Sequence, residues 1–582
     1  MGYGNRGDFS LIHRRYGFQC FAFLVLLSWS KVVRSFAVGA GGKSHGRSAK
    51  TGLDRLHRQQ LIVPASAALR QRDPLVFRRQ PDGLSRKLSP SDDADPSDSD
   101  NEDEPTSEEL EIRGGGAKRE PIPPIWPCFD ALDKRLITIA LPVIANFAIN
   151  PLIGAVDLFW VNRMGNALAV AGQAAANQVF SSAFWLTSFL PAVTATLIAK
   201  ENADNNKEGV QDAVCQALFV GMCIAIPSTI LLLLNPDKVL SAVLQEGAPA
   251  LQYARPYLFI RAFAFLPSLV SLVGFSAFRG ILETSTPVKI SSFANFFNAI
   301  LDPLLIFSLS MGVKGAALAT LAAEIISAVT YLYLLRKRDL IRIRKLFRIP
   351  PWSKLEPLLR GGAALQLRNV ALNLTFLAVA RVTQSIDQTG VSAAAHAMTI
   401  QVFQVGGIVL LALSTVSQTV IPNDLVERFD KKLGKRVGGR ESAKASVNRL
   451  MSWGLILGIV LGGMQIALLP IIQRSTPIQE VRDAAWIPSI LASVFQIMNG
   501  LVFIGEGVMV GTGSYFQLSL STVVATAGCL WALDKFPPIY GLTGVWMAFG
   551  VFNVLRLAGV WLHQSVNGPL SPKNLAKAEA KR

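Results

Sequence analysis

The chain contains 582 residues, of which 51% are apolar and only 17% are charged, and its mean hydropathy is +0.37. From about Leu136 onward, apolar segments recur that are long enough to cross a hydrocarbon core of about 30 Å as helices. This composition excludes a soluble globular protein and indicates a polytopic membrane protein. The net charge of +17 does not indicate nucleic-acid binding, because the Lys and Arg residues lie in loops beside membrane segments and no RNA-binding signature accompanies them.

The first 90 residues have the composition of targeting segments. Residues 1–36 place a basic stretch before a short apolar run, which is too short to span a membrane but typical of a signal peptide. Residues 37–90 resemble a plastid or mitochondrial transit peptide, since eleven Lys or Arg stand against three Asp between Lys43 and Lys87. With Phe36 at the expected cleavage point, the two segments resemble the bipartite presequence of algae with complex plastids. The alternative is an ordinary secretory signal followed by a disordered tail.

An acidic segment follows at residues 91–130. Eleven Asp or Glu fall within the 21 residues 91–111, and such a block repels itself and cannot bury a core. We therefore expect a disordered linker that acts as a solvated spacer, with a phosphorylated regulatory tail as the alternative.

Twelve membrane spans are predicted after this linker. Their approximate ranges are 136–160, 169–199, 210–234, 256–278, 287–309, 313–335, 357–382, 391–421, 446–472, 484–510, 516–536 and 541–564. The basic loops and the tail fall on one side of the membrane, which places both termini there. We expect an all-α fold with an N-terminal six-helix bundle at 131–335, a basic inter-bundle loop at 336–356, a C-terminal six-helix bundle at 357–566 and a basic tail at 567–582.

The two halves of this membrane domain repeat one another. The segment from Gln178 to Phe180 in the second span is matched by Gln401 to Phe403 in the eighth, at an offset of 223 residues, and Gly315 is echoed by Gly544 at an offset of 229. An even number of spans separates the equivalents, so the repeats have parallel topology. Parallel repeats with a site at or within the halves are typical of transporters.

Polar residues line one face of the fifth span. Asn295, Asn298 and Asp302 are spaced i, i+3, i+7 and share a helical face, away from Phe296 and Ile300. An ionisable group at hydrocarbon depth costs roughly 2.5–3.5 kcal/mol, which favours a site for an ion, a proton or a partner. The alternative is structural hydrogen bonding between helices.

Further polar residues of the first half lie on the first and sixth spans, and these are Asn146, Asn150, Asp157, Thr320 and Glu324. Two carboxylates that face each other at low dielectric cannot both ionise cheaply, so such a pair can exchange a proton. Oxygens of Asp, Asn and Thr can instead collect a Na⁺ ion. The sequence leaves H⁺ and Na⁺ open as coupling ions and indicates no other metal, because the five cysteines lack metal-ligand spacing.

The second half carries mostly amides, which we interpret as substrate-facing or helix-pairing groups. They are Gln366, Asn369, Asn373, His396, Gln401, Asn499 and, as the one strong candidate carboxylate, Glu506. A lone His among alanines is more often a core residue than a proton relay. Arg279 and Glu283 lie near a loop, where we expect a structural pair.

Several motifs closely resemble the multidrug and toxic compound extrusion (MATE) family, over roughly residues 130–566. They are 274–287, 295–307, 312–320, Val156-Asp157, 394–397 and 541–556. Within the family the chain is most similar to the DinF-type and plant organic-anion branch. The resemblance implies two six-helix bundles around a V-shaped cavity, with a cation site formed by Asp157, Asn298, Asp302 and Thr320. It further implies export of an organic cation, a citrate-like acid or a phenolic compound by H⁺ or Na⁺ antiport.

Two other functions are weighed against this antiport. A lipid-linked-precursor flippase of the same superfamily is disfavoured because the predicted cavity residues are amides and acids rather than basic groups. A membrane scaffold or receptor is disfavoured because it needs no aligned buried carboxylates. We expect no enzyme activity, since the chain has no catalytic triad spacing and no phosphate-binding loop. The predicted partners are a small organic solute, a coupling cation and the bilayer, with no cofactor, no nucleic acid and a monomeric state. The predicted address is a plastid envelope, or otherwise the plasma membrane or an endomembrane.

Overall fold

The computed structural model describes residues 124–580, apart from 242, 245–246, 347–349, 388, 431–434, 475 and 477. The predicted signal-like and transit-like segments, and most of the acidic linker, lie outside the described residues. At some positions within the helices the side chain is not described, and Asn150 is one of these positions.

The described chain is built from twelve membrane segments, which we call spans one to twelve. In chain order they are Ala131–Asn162; Ala167–Phe184 with Leu190–Ala203; Lys207–Leu234; Leu251–Phe263 with Phe265–Gly280; Ser285–Pro303 with the π-helical turn Leu304–Ser308; Val313–Lys337; Trp352–Ile386; Val391–Leu425; Arg440–Gln473; Gln479–Gly511; Tyr515–Lys535; and Pro537–Leu562 with the π-helical turn His563–Asn567. Short helices lie between spans or after them, at Pro236–Leu240, Ile343–Leu346 and Pro572–Glu579. The predicted all-α fold with two six-helix repeats is confirmed.

Nine helices of the described residues are long and apolar enough to cross a membrane, and the two halves of span four would add a tenth across a bend of 48°. Span two is less apolar because it carries Gln173, Asn177 and Gln178, and the 3₁₀ turn Trp185–Thr187 breaks it. The predicted second span was continuous, so the break is a difference that the hydropathy pattern did not reveal.

The basic loop between spans eight and nine contains the two strands found in the described residues. Strand β1, Arg428–Asp430, pairs antiparallel with β2, Lys435–Val437. Gly438 and Gly439 both have a positive φ, of 90° and 92°, and this backbone region favours glycine. They turn the chain from β2 directly into span nine, which therefore begins at Arg440 rather than near residue 446 as predicted.

Three apolar clusters stabilise the described chain. One lies mainly in the first bundle and another, around Trp546 and Phe549, lies in the second. The third joins the two bundles, because Leu136 and Val143 of span one pack with Val416 of span eight and other residues of the second bundle.

Ion pairs reinforce this junction beside the basic loops. Arg135 of span one pairs with Asp424 of span eight at 2.8 Å. The buried Arg449 of span nine contacts Asp130 at 2.9 Å and also Asp133, both at the start of span one. Cys128, Asp130 and Asp133 lie close enough together to suggest a metal site, but the guanidinium of Arg449 occupies the space between these groups.

The expected pair between Arg279 and Glu283 is wrong. Arg279 is buried and donates to the backbone oxygen of Pro191 at 3.0 Å. Glu283 instead accepts from Arg338 at 3.2 Å. Two loop ends separated by 55 residues in sequence meet here, which a local reading of the chain could not anticipate.

Candidate cation site

The polar face predicted for span five is confirmed. Asn298 and Asp302 are buried, whereas Phe296 and Ile300 are 63% and 49% exposed on the outer surface of the helix. Pro303 follows Asp302 and lacks the N–H that would continue the helical ladder, and the chain passes into the π-helical turn Leu304–Ser308. The carboxylate thus lies at a local break in the helix, a setting that recurs at functional sites.

Asn298 bridges two carboxylates that come from different spans. Its Nδ2 donates to Oδ1 of Asp157 in span one at 2.6 Å and to Oδ2 of Asp302, one turn along span five, at 3.2 Å. Both carboxyl groups therefore bind the same amide nitrogen. Residues 141 positions apart in the sequence therefore form one polar cluster.

The cluster presents oxygen atoms that have no partner among the described residues. These are Oδ1 of Asn298 and Oδ1 of Asp302, both of which are buried. Buried acceptors are rarely left without a donor, because an unpaired buried acceptor costs free energy. Oxygen atoms of this kind can instead bind a hard cation or a proton. The arrangement can therefore hold a shared proton or help to coordinate a Na⁺ ion.

The other candidates of the first bundle differ in their contacts and burial. Thr320 is half-buried on span six, and its hydroxyl donates to Ala316 O of its own helix at 3.0 Å rather than to a carboxylate. Asn295 lines, with Asn298, a cleft of about 130 Å³ between spans one and five. Asn146 is buried with an unpartnered Oδ1, and nothing is described of the Asn150 side chain.

Glu324 lies on span six near a positive charge that the sequence analysis overlooked. Arg261 of span four is buried and lies within electrostatic range of both Glu324 and Asp157. Its position inside an apolar segment was the signal that could have found it, since the rule that drew attention to Asp302 applies equally to arginine.

In the second bundle, Glu506 is held between two arginines. Arg556 of span twelve donates through Nε to its carboxylate at 2.8 Å, and Arg368 of span seven donates to the other oxygen. Glu506 and Arg556 are each 5% exposed, and Arg368 is 20% exposed. Neither arginine was among the predicted site residues, although both interrupt apolar segments.

Two of the predicted cavity residues lie where the bundles meet. Asn369 donates to the hydroxyl of Ser188 in span two at 2.8 Å, and that hydroxyl donates to Gln366 at 3.4 Å. Asn373 is exposed one turn further along span seven and donates to Asn369 O at 2.9 Å. Span seven therefore brings these three amides together, as their spacing predicted.

The remaining candidates of the second bundle make separate contacts. His396 lies 5.7 Å from Trp546 between ring centroids, and its Nδ1 has no described partner. Gln401 is exposed and lines a largely apolar cavity of about 480 Å³ between spans eight, nine and ten. Asn499 is fully buried and donates to Gln496 at 3.3 Å.

Comparisons with known proteins agree with this architecture. The family model MatE matches residues 142–304. Protein DETOXIFICATION 44, chloroplastic, of Arabidopsis thaliana is 26% identical over 462 residues, covering 76% of this chain and 84% of the relative. DNA damage-inducible protein F of Escherichia coli is 26% identical over 452 residues, covering 75% and 93%. A crystal structure of MATE in the bent conformation matches with a TM-score of 0.68 at 18% identity, covering 78% and 98%.

The fold, with its parallel six-helix repeats and intramembrane carboxylates, is that of a polytopic membrane protein and is shared with solved MATE structures. The chain resembles the multidrug and toxic compound extrusion (MATE) family in sequence over residues 142–304 and in fold over most of its length.

Proposed function

We propose that this protein is a secondary active antiporter that exports a small organic solute in exchange for H⁺ or Na⁺ by alternating access. The observation that carries this proposal is the Asn298 amide, which joins the carboxylates of Asp157 and Asp302 across two spans. An oxygen-rich cluster between two helices has the chemistry to bind a cation and to respond to its loss. The solute is a drug-like cation, a citrate-like acid or a phenolic compound.

The cation site in this proposal comprises Asp157, Asn298, Asp302 and Thr320. Thr320 would join through a lone pair of the oxygen whose proton is donated to Ala316. Asn146, Asn150, Asn295 and Glu324 would support the site from the surrounding helix faces. When the cation leaves, the two carboxylates repel one another unless a proton or a positive group replaces it, so occupancy would bias the position of span one relative to span five.

Alternating access requires contacts between the bundles that can open. Two kinds of contact hold the bundles together on the side of the basic loops. They are the third apolar cluster and the ion pairs of Arg135 with Asp424 and of Arg449 with Asp130. In our proposal these contacts separate when the transporter opens to that side. The substrate would contact Gln366, Asn369, Asn373, His396, Gln401, Asn499 and Glu506.

Reconstituted liposomes test the coupling ion. The protein would be reconstituted with a pH-sensitive or a Na⁺-sensitive dye inside, and a metabolite mixture would be added outside. A substrate-dependent signal from one dye identifies the ion, and mass spectrometry of the lumen identifies the solute. Uptake with no movement of either ion would contradict antiport.

The address is a separate part of the proposal. We propose that residues 1–90 direct the chain to a plastid, which is supported by the basic composition of 37–90 and by relatives named as chloroplastic. A fluorescent protein fused to residues 1–90 tests this. Accumulation at the plastid is expected, and secretion of the reporter would contradict it.

A further inference from the structure

Arg261 of span four is a buried cation, and two of its donor nitrogens have no partner among the described residues. The residue is 9% exposed, and its Nε and Nη1 have no hydrogen-bond partner among the described residues. Its guanidinium lies over the ring of Phe180 in span two, with Cζ 4.2 Å from the ring centroid. Stacking on an aromatic ring partly compensates a buried guanidinium, but it leaves the N–H groups unsatisfied. Arginine is almost never buried in this way without an anionic partner.

The anionic groups that could serve it are close. Asp157 of span one and Glu324 of span six both lie within electrostatic range of Arg261, as does Tyr257 one turn earlier on its own span. Span two contributes Phe180 and, near Tyr257, Asn177. Charged, titratable and stacking groups from spans one, two, four and six thus surround the guanidinium. Asp157 is at the same time the carboxylate that Asn298 joins to Asp302.

A guanidinium and a coupling cation at Asp157 exclude one another electrostatically. Both carry a positive charge, and both gain by lying against the same carboxylate in a low-dielectric interior. An arginine side chain is long and flexible enough to move between an aromatic ring and a neighbouring carboxylate.

We propose that Arg261 is a resident counter-cation of this site, which pairs with Asp157 or Glu324 when the coupling cation leaves and rests on Phe180 when the cation is bound. The inference rests on the proposed antiport. The guanidinium then replaces the departing charge, so that the bundle never holds unpaired carboxylates. It also lowers the affinity for the cation, which permits release.

Substitutions at Arg261 and Phe180 have opposite expected effects. Arg261→Gln removes the competing charge. If the coupling ion is Na⁺, its half-saturating concentration for transport should fall about tenfold; if it is H⁺, the midpoint of the pH dependence of transport should rise by about one unit. The maximal rate of transport should fall, because the cation is released more slowly. Arg261→Lys keeps the charge and should remain close to the wild type. Phe180→Leu removes the resting place of the guanidinium, so the half-saturating concentration should rise.

The experiment uses the full chain in liposomes, with transport measured over a series of Na⁺ concentrations and pH values. Arg279→Gln is the matched control, because this second buried arginine of span four donates to a backbone carbonyl and should leave the half-saturating concentration unchanged. For a variant that is folded but inactive in transport, cation affinity would be measured directly, by equilibrium binding of ²²Na⁺ or by proton uptake of the purified protein.

Two results would overturn the inference. One is an unchanged cation dependence in Arg261→Gln, and the other is an equal shift in Arg261→Gln and Arg261→Lys. If the wild type itself transports solute without any cation dependence, the proposed antiport fails and this inference fails with it. That outcome is distinguishable because it appears before any variant is compared.

Discussion

Nδ2 of Asn298 donates to Asp157 at 2.6 Å and to Asp302 at 3.2 Å, so a single amide fixes the separation of two carboxylates on different spans. Asn298→Ala removes both bonds and leaves the carboxylates to repel one another. Hydrogen bonds to charged groups contribute about 1.5–3 kcal/mol. A bound cation relieves the repulsion that remains, so the half-saturating cation concentration for transport should fall roughly ten- to a hundredfold. Asn295→Ala, one turn away, removes neither of these two bonds and should therefore change the half-saturating concentration less. Equal effects of the two substitutions would contradict a bridging role for Asn298.

The ion cluster of Glu506 should determine the stability of the second bundle. Glu506→Gln would leave Arg368 and Arg556 with like charges in a buried position, and breaking such a pair typically costs about 3–5 kcal/mol. We expect a clear fall in Tm, measured in detergent by intrinsic fluorescence. The double variant Glu506→Met with Arg556→Met should recover part of the lost Tm.

Asp483→Asn, which alters an exposed carboxylate, is the control for loss of a charge. A Tm of Glu506→Gln equal to that of this control would show that the cluster does not stabilise the bundle. Transport by Glu506→Gln should be interpreted only after this measurement.

Close contact between spans nine and ten depends on glycine. A Cβ at Gly458 would lie 2.6 Å from the backbone oxygen of Gln496, whereas a Cβ at Gly463, on the outer surface, would meet nothing within 4 Å. Gly458→Ala should therefore destabilise the protein by about 1–3 kcal/mol. Gly463→Ala should not reduce Tm. Similar Tm values for the two variants would contradict the close packing.

The start of span one should lose stability in acid. The backbone N–H of Asp133 and the guanidinium of Arg449 both donate to Asp130 and lower the pKa of its carboxyl to about 2, from an ordinary value of 3.8. A group whose pKa is depressed on folding contributes stability above its unfolded pKa, and that contribution is lost as the pH falls toward the folded value. We expect Tm to decline between about pH 4 and pH 2.

Asp130→Asn separates the charge from the helix cap. Asn retains the capping acceptor but not the carboxylate, so Tm of this variant should depend less on pH in that range. Asp130→Ala should lose the cap as well and be less stable at every pH. If Tm of Asp130→Asn declines with pH as much as Tm of the wild type, groups other than Asp130 cause the decline.

Much of the fold could be predicted because hydropathy and helical spacing are local properties. The spacing of Asn298 and Asp302 placed both on the buried face of span five, and the spacing of Gln366, Asn369 and Asn373 brought them together on span seven. The break in span two, the hairpin before span nine and the pairing of Glu283 with Arg338 depend on distant contacts, which spacing does not contain.

The candidate site was only partly accessible from sequence. The spacing of acids and amides along each span predicts which of them share a face, but it does not predict where an arginine within an apolar segment finds its partner. Arg261, Arg368 and Arg556 therefore entered only through the structure, and they alter the electrostatics of both bundles. The predicted roles of His396, Gln401 and Asn499 remain predictions, because no hydrogen bond among the described residues joins one of them to another.

The most direct test of the account is cation-driven accumulation of solute by Asp302→Asn in liposomes. Asn occupies nearly the same volume but cannot carry the charge, so accumulation against a concentration gradient should collapse while the protein remains monodisperse and exchanges solute at equilibrium. Asp483→Asn should accumulate solute like the wild type. Undiminished accumulation by Asp302→Asn would contradict the claim that the carboxylates joined by Asn298 hold the coupling cation.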